Sequence, residues 1–376
     1  MRPDSRPLAA LVVLALAAAL PAATAAADPL PRPPLVATSG AARLLLASGA
    51  AVALPPLPAG ARLESTAALA HGWVAAGSAP AAPAKRAQAV ASELLVLLSD
   101  GGPVSLLPPP ARSAALLREP LPLVDEGRLA GLAWLEGDTR RTLAVRFAAW
   151  NGAGWDDPQT VSAPGPGSQL ALTAARLGDG SFLLAWSAFD GHDDEIVWSR
   201  RSAGGTWSKP TRAAADNDVP DVTPALVATN GGALLAWSRY DAESGEYAVV
   251  VARFRNGRFD APHAVGAPGT GAPGFEPVAP GGNSAARLLV RTAAPAGWQV
   301  LDLGADGRPV RAAAVRMAAP AAKSVAPAPL PGERPLVAAT DADGVTLRFP
   351  ESALERTAAW QRGESGPAPA LQKERP

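Results

Sequence analysis

The chain has 376 residues, with 34 basic and 34 acidic side chains, no net formal charge, 40 prolines, 36 glycines and no cysteine. The charge balance excludes a basic surface for nucleic acid, and without cysteine no disulfide staples the fold, so a sizeable apolar core has to hold it. Prolines and glycines fall between short apolar runs instead of in one block, which predicts many turns and not a disordered chain.

At the N-terminus, Arg2 and Arg6 precede an uncharged run from Leu8 to Leu20, and small residues then lead to Asp28. This is the layout of a secretory signal peptide, 1–27, with cleavage after Ala27; the run is too short to cross a bilayer, and Pro21 interrupts it. The expectation is an exported protein, periplasmic or secreted, with no membrane span after cleavage and a mature composition of 32 basic against 33 acidic residues. No cysteine follows the run, so a lipid anchor is excluded.

Beyond that segment the chain repeats. "GLAW" ends at Trp134 and "LLAW" at Trp186 and Trp237, while a second series places Trp155, Trp207 and Phe259 after a glycine-containing turn. The two series keep a nearly constant phase, which marks a repeat of about fifty residues. In the clearest unit, 224–229, 233–239, 247–255 and 259–265 read as strands A to D, with "TNGG" and "RNGR" as the A–B and C–D turns. Weaker copies at 33–48, 93–108 and 297–313 read as one A–B hairpin and two C–D hairpins. Seven units follow, near 28–61, 62–112, 113–163, 164–216, 217–268, 269–320 and 321–362, the first and last degraded. A composition without strand pattern makes 363–376 a flexible tail.

Four short strands per unit at this spacing predict an all-β fold, a β-propeller spanning 28–362. Seven blades is the count; six blades with a composite closing blade is the alternative, and a pair of β-sandwiches would not explain the constant phase. The recurrent Trp186 and Trp207 are expected to fill the wedges between blades.

The hairpin "SRRSAGGTWSKP" resembles the repeat of sialidase-like propellers, whose Asp-box hairpin reads Ser-x-Asp-x-Gly-x-Thr-Trp. Ser202, Gly205, Thr206 and Trp207 match its outline, with one residue fewer between Ser and Gly and no aspartate. The likeness runs from Leu132 to Val265. It implies a propeller fold; in that family three arginines grip a carboxylate beside a Tyr–Glu pair and an aspartate. The family's aromatic-Arg-Ile-Pro string is absent, and the two tyrosines, Tyr240 and Tyr247, lie in a middle unit, so the likeness carries over the fold and not the catalytic set.

In a propeller the D-to-A links and B-to-C loops emerge on one face and the short A–B and C–D turns on the other. The first face receives the charged loops "LEGDTRR", "FDGHDDE" and "RYDAESGE" and the link "ADNDVPDV". Candidate ligand-binding residues are Asp190, His192, Asp193, Asp194, Glu195, Asp216, Asp218, Asp221, Arg140, Arg239, Tyr240 and Asp241. Asp190, Asp193, Asp194 and Glu195 are also the candidate oxygen ligands for calcium, the one cofactor the pattern suggests, although the spacing is not that of an EF-hand. Solvated loop carboxylates are the plain alternative. No "HExxH", "GxSxG", "GxxxxGK[ST]" or "GxGxxG" string occurs. Two functions remain: a non-catalytic propeller that binds a glycan or an envelope protein through this face, and a sialidase-like, glycan-active hydrolase with altered catalytic residues.

Overall fold

The computed structural model describes residues 52–81, 91–110, 116–275, 284–292 and 297–315, together with strand backbone at 35–39, 41–45, 324–327, 337–340, 344–348, 355–359 and 372–375. The expected signal segment lies outside the described residues. Those described are all β, and no helix among them is long and apolar enough to cross a membrane.

The strands form separate antiparallel meanders, each in chain order. A two-stranded first sheet, Leu35–Ser39 with Ala41–Leu45, precedes the others. The second runs Arg62–Leu69, Gly72–Pro80, Ser92–Asp100 and Ser105–Leu107. The third runs Leu116–Asp125, Arg128–Gly137, Ala144–Ala149 and Gln159–Ser162. The fourth runs Gln169–Arg176, Phe182–Phe189, Asp194–Arg201 and Thr211–Arg212. The fifth runs Asp221–Thr229, Gly232–Asp241 and Glu246–Arg255, edged by Arg258–Phe259 and His263–Ala264. The sixth spans Thr270–Phe275 to Pro309–Val315, and the seventh Ser324–Pro327 to Gln372–Arg375. The predicted unit boundaries coincide with these sheets except at the end. There Gln372–Arg375 pairs with Glu355–Ala359 where a flexible tail was expected. An outermost strand carries charged side chains to keep its free edge from pairing, so composition alone reads it as a tail.

The first strands of successive sheets touch one another from the second sheet to the seventh, and the strand Leu35–Ser39 touches both Arg62–Leu69 and Val337–Thr340. This radial stacking of meanders is a β-propeller. The core lies between sheets. Trp134 packs with Val74, Ala76, Leu94 and Val96 of the second sheet; Trp186 packs with Leu135, Val145 and Phe147 of the third; Trp237 packs with Leu183, Ala185 and Ile196 of the fourth. All three indoles are fully buried, at equivalent places in consecutive seams. The second series serves the same seams: Trp155, Trp207 and Phe259 each border one of these clusters. Trp207 meets Phe147 edge to face at 5.3 Å. The C–D turn of the fifth sheet has Asn256 at φ 51° and Gly257 at φ 78°, the backbone that "RNGR" requires.

Candidate functional site

Asp190 opens the B–C turn of the fourth sheet because its short carboxylate can accept the turn's own amides. Its Oδ1 accepts the N–H groups of His192 at 2.8 Å and Asp193 at 3.2 Å. These bonds, ahead of the neighbouring Arg212, hold its carboxyl below the usual range. Arg212, on the short outer strand, reaches Asp190 Oδ2 through Nη2 at 2.5 Å and Asp216 Oδ2 through Nη1 at 2.5 Å. One guanidinium thus ties the B–C loop to the D–A link. Asp216 is likewise held low, chiefly by its hydrogen bond from Arg212.

Asp221 begins the inner strand of the fifth sheet, and the register places it opposite Arg239. The pair is bidentate, Arg239 Nε to Oδ1 at 2.8 Å and Nη2 to Oδ2 at 2.6 Å, with the carboxylate wholly buried. The same guanidinium lies 5.7 Å from the ring centre of Trp237.

Between these two ion pairs lie two buried carboxyls. Asp193 is 7% exposed and Glu195 1% exposed. Among the described residues both oxygens of Asp193 have no hydrogen-bond partner; Oε1 of Glu195 accepts the N–H of Asn217 at 3.4 Å, and its carboxyl also interacts with Asp216. Burial pushes Glu195 up to about 7, with Asp221 and Asp193 adding to the rise against the pull of Asn217 and Arg212. Asp193 is raised by burial first, then by Asp190, with Asp216 and Asp221 also raising it against the pull of His192. Asp194, half-buried, is raised by burial and by Asp193 and Asp190.

The reading of this loop as solvated carboxylates is therefore corrected at Asp193, Glu195 and Asp221. As for the calcium candidates, among the described residues no three His, Asp or Glu side chains converge to hold a metal ion. The reason is geometric, since Asp190 faces turn amides and Arg212, while Asp221 faces Arg239.

The rim is aromatic. Tyr240 and Tyr247 pair across the B–C hairpin of the fifth sheet, ring centres 5.5 Å apart, and Tyr247 is 37% exposed. Asp241 shapes that hairpin, accepting the N–H of Glu243 at 3.1 Å and the hydroxyl of Ser244 at 2.8 Å, which lower its carboxyl. His192 lies 3.8 Å from Asp218, both exposed. Arg140 is exposed on the third sheet's B–C loop and makes no hydrogen bond or ion pair among the described residues, so it stands apart from the cluster. The sequence reading missed Arg212 and Asn217. The signal was present: an arginine four residues before Asp216, in a link otherwise acidic.

Comparison with known proteins adds a likeness of fold. No protein-family model matches the chain, and no curated protein matches it. Among solved structures, a puromycin hydrolase S511A mutant complexed with PGG superposes with a TM-score of 0.54 at 16% identity, covering 89% of this chain. The chain spans about half, 54%, of that protein's length. The GH93 alpha-L-arabinofuranosidase of Fusarium graminearum aligns at 13% identity and a TM-score of 0.46, over 78% of this chain and 87% of its own. The GH43 endo-arabinanase from Bacillus licheniformis aligns at 16% identity and 0.37, over 64% and 93%.

Proposed function

We propose that the chain is an exported, non-catalytic β-propeller that binds a glycan on the face where the fourth and fifth sheets meet. The observation that carries this is the convergence of three separate segments. Arg212 joins Asp190 to Asp216, Arg239 clamps Asp221, and the Tyr240–Tyr247 pair stands beside them with one ring open to solvent. Planar polar groups on rigid strand ends next to an aromatic face suit a ligand that presents hydroxyls on one side and C–H groups on the other.

The test is a glycan array probed with the protein, followed by titration calorimetry of the best oligosaccharide. Tyr247→Ala is expected to weaken binding at least tenfold while the circular dichroism spectrum stays unchanged. Unaltered binding in that variant, or a wild type that captures an envelope protein and no glycan, overturns the reading.

The catalytic alternative draws on Glu195, a carboxyl raised to about 7 and so half-protonated near neutral pH. At 1% exposure it does not meet a glycosidic oxygen, which ranks binding first. Turnover of chromogenic glycosides by the wild type, lost in Glu195→Gln, would reverse that order.

Seven blades, export and sialidase-like kinship belong to the same proposal. The strand Leu35–Ser39, touching the second and seventh sheets, supports a seventh, two-stranded blade at the closure. The signal layout of 1–27 supports export, and N-terminal sequencing of exported protein would place the cleavage. The Ser202 hydroxyl accepting the N–H of Thr206 at 3.2 Å supports the Asp-box likeness.

A further inference from the structure

We infer that the opposite face carries a second ligand cleft, at the turns of the fourth and fifth sheets, for a saccharide bearing an oxyanion such as a carboxylate. Two adjoining hollows of about 460 and 530 Å³ open there, and both are walled by Asp179 and Arg200. Each lies in the size range of small-molecule sites. The first is lined further by Ser202, Thr206, Trp207 and Ser208, the second by Arg255 and Asn256.

The donors in this cleft are held in place and only partly used. Arg200 is fixed along one edge, Nε donating to Ser181 Oγ at 2.9 Å and Nη2 to Asp179, while its own backbone N–H donates to Ser208 Oγ at 3.0 Å. Its Nη1 has no partner among the described residues. Arg255 is held at Nε by Asp260, 3.0 Å away, and its two Nη groups are free of partners in the same sense.

The acceptors are already occupied. Asp179 takes the N–H and hydroxyl of Ser181 on Oδ1 and Arg200 on Oδ2, and those Ser181 bonds lead the causes that hold its carboxyl low. A cleft with anchored guanidinium edges and no idle carboxylate selects an acceptor-rich ligand, and the fork of an arginine matches a carboxylate or sulfate.

The repeat itself marks this seam as different. Trp155, one unit earlier, donates its indole N–H to the carbonyl of Pro108 at 2.7 Å. Trp207 occupies the same repeat position and lines the hollow with its ring, while its N–H is buried and has no acceptor among the described residues. The indole also offers apolar surface to a sugar ring.

The experiment titrates the full chain with trigalacturonate and with the neutral galactotriose of the same linkage, followed by calorimetry and by tryptophan fluorescence. Trigalacturonate is expected to bind and the neutral sugar to bind at least tenfold more weakly. Arg255→Ala, at an exposed position, and Arg200→Lys, which keeps charge and removes the fork, are each expected to weaken trigalacturonate at least tenfold with unchanged melting temperature. Tyr247→Ala, on the other face, is expected to leave it unaltered. A sulfated trisaccharide matching trigalacturonate widens the ligand from carboxylate to oxyanions in general, within the inference. No binding of either acidic sugar, equal binding of charged and neutral sugars, or wild-type affinity in both arginine variants overturns it.

Discussion

The carboxylate of Glu119, on the inner strand of the third sheet, accepts the backbone N–H of Leu172, 53 residues further on in the fourth, at 3.2 Å. The device recurs around the centre. Glu64 accepts the N–H of Glu119 at 3.1 Å, and Thr173 Oγ1 accepts the N–H of Leu226 at 3.1 Å. Each inner strand from the second sheet to the sixth has a register shift at this level, and Glu119, Ala171 and Thr223 occupy its left-handed backbone. At Glu119 and Leu172 the bulge frees an amide, and the preceding blade caps it. Glu119→Ala leaves that amide without a partner and is expected to cost about 1–3 kcal/mol in urea denaturation. Glu119→Gln, still an acceptor and without the charge that burial disfavours, is expected to cost less. Equal costs in the two variants would mean that the bond contributes nothing.

The two tryptophan series differ in depth, and truncation is expected to follow depth. Trp186 is fully buried between the third and fourth sheets, so Trp186→Ala should cost about 3–5 kcal/mol. Trp207 borders the same cluster and is half-buried, so Trp207→Ala should cost roughly half as much. Chemical denaturation of both variants checks the ranking; a larger loss at Trp207 would contradict the seam assignment.

The repeat was legible because inter-sheet packing needs the same bulky side chain at the same strand position in each blade. Trp134, Trp186 and Trp237 therefore carry the periodicity in plain view. The first and seventh sheets were faint, since short strands such as Leu35–Ser39 and Gln372–Arg375 offer few apolar positions to count. Within the site, residue type and face were readable but burial was not. Asp193 and Glu195 lie in a string that reads as solvated, and their burial, with the N–H of Asn217 from the following link on Glu195, is set by tertiary packing. Arg212 was passed over because its role depends on meeting Asp190, 22 residues away, which no local pattern announces.

Asp221 and Arg239 form a pair in which either single deletion leaves a charge behind. Asp221→Ala strands the guanidinium, and Arg239→Ala strands a carboxylate that is wholly buried. The second is expected to be the more damaging, about 3–5 kcal/mol. The double variant should lose less than the sum of the two, and a double-mutant cycle from urea midpoints measures the coupling directly. Strict additivity would show that the pair does not act as a unit.

Glu195 gives the fold a pH dependence of unusual sign. In the unfolded chain its carboxyl titrates near 4.5, and in the folded protein burial raises it to about 7. Between those values the folded state holds the proton and the unfolded state has released it, so the unfolding free energy falls as pH rises through that window. The loss is on the order of 1–3 kcal/mol by pH 8, and Asp193, raised in the same direction, adds to it. Asp190 and Asp216, whose carboxyls are held low, act oppositely and lose their contribution only at acid pH. Glu195→Gln keeps an acceptor for the Asn217 N–H and cannot ionise, so it should flatten the profile between pH 5 and 8 and raise the melting temperature at pH 8. At pH 5, where wild-type Glu195 is already neutral, the variant should match the wild type closely. Calorimetric melts of both proteins across that range decide it; a wild type whose stability rises steadily from pH 5 to 8 would show that Glu195 is ionised in the fold.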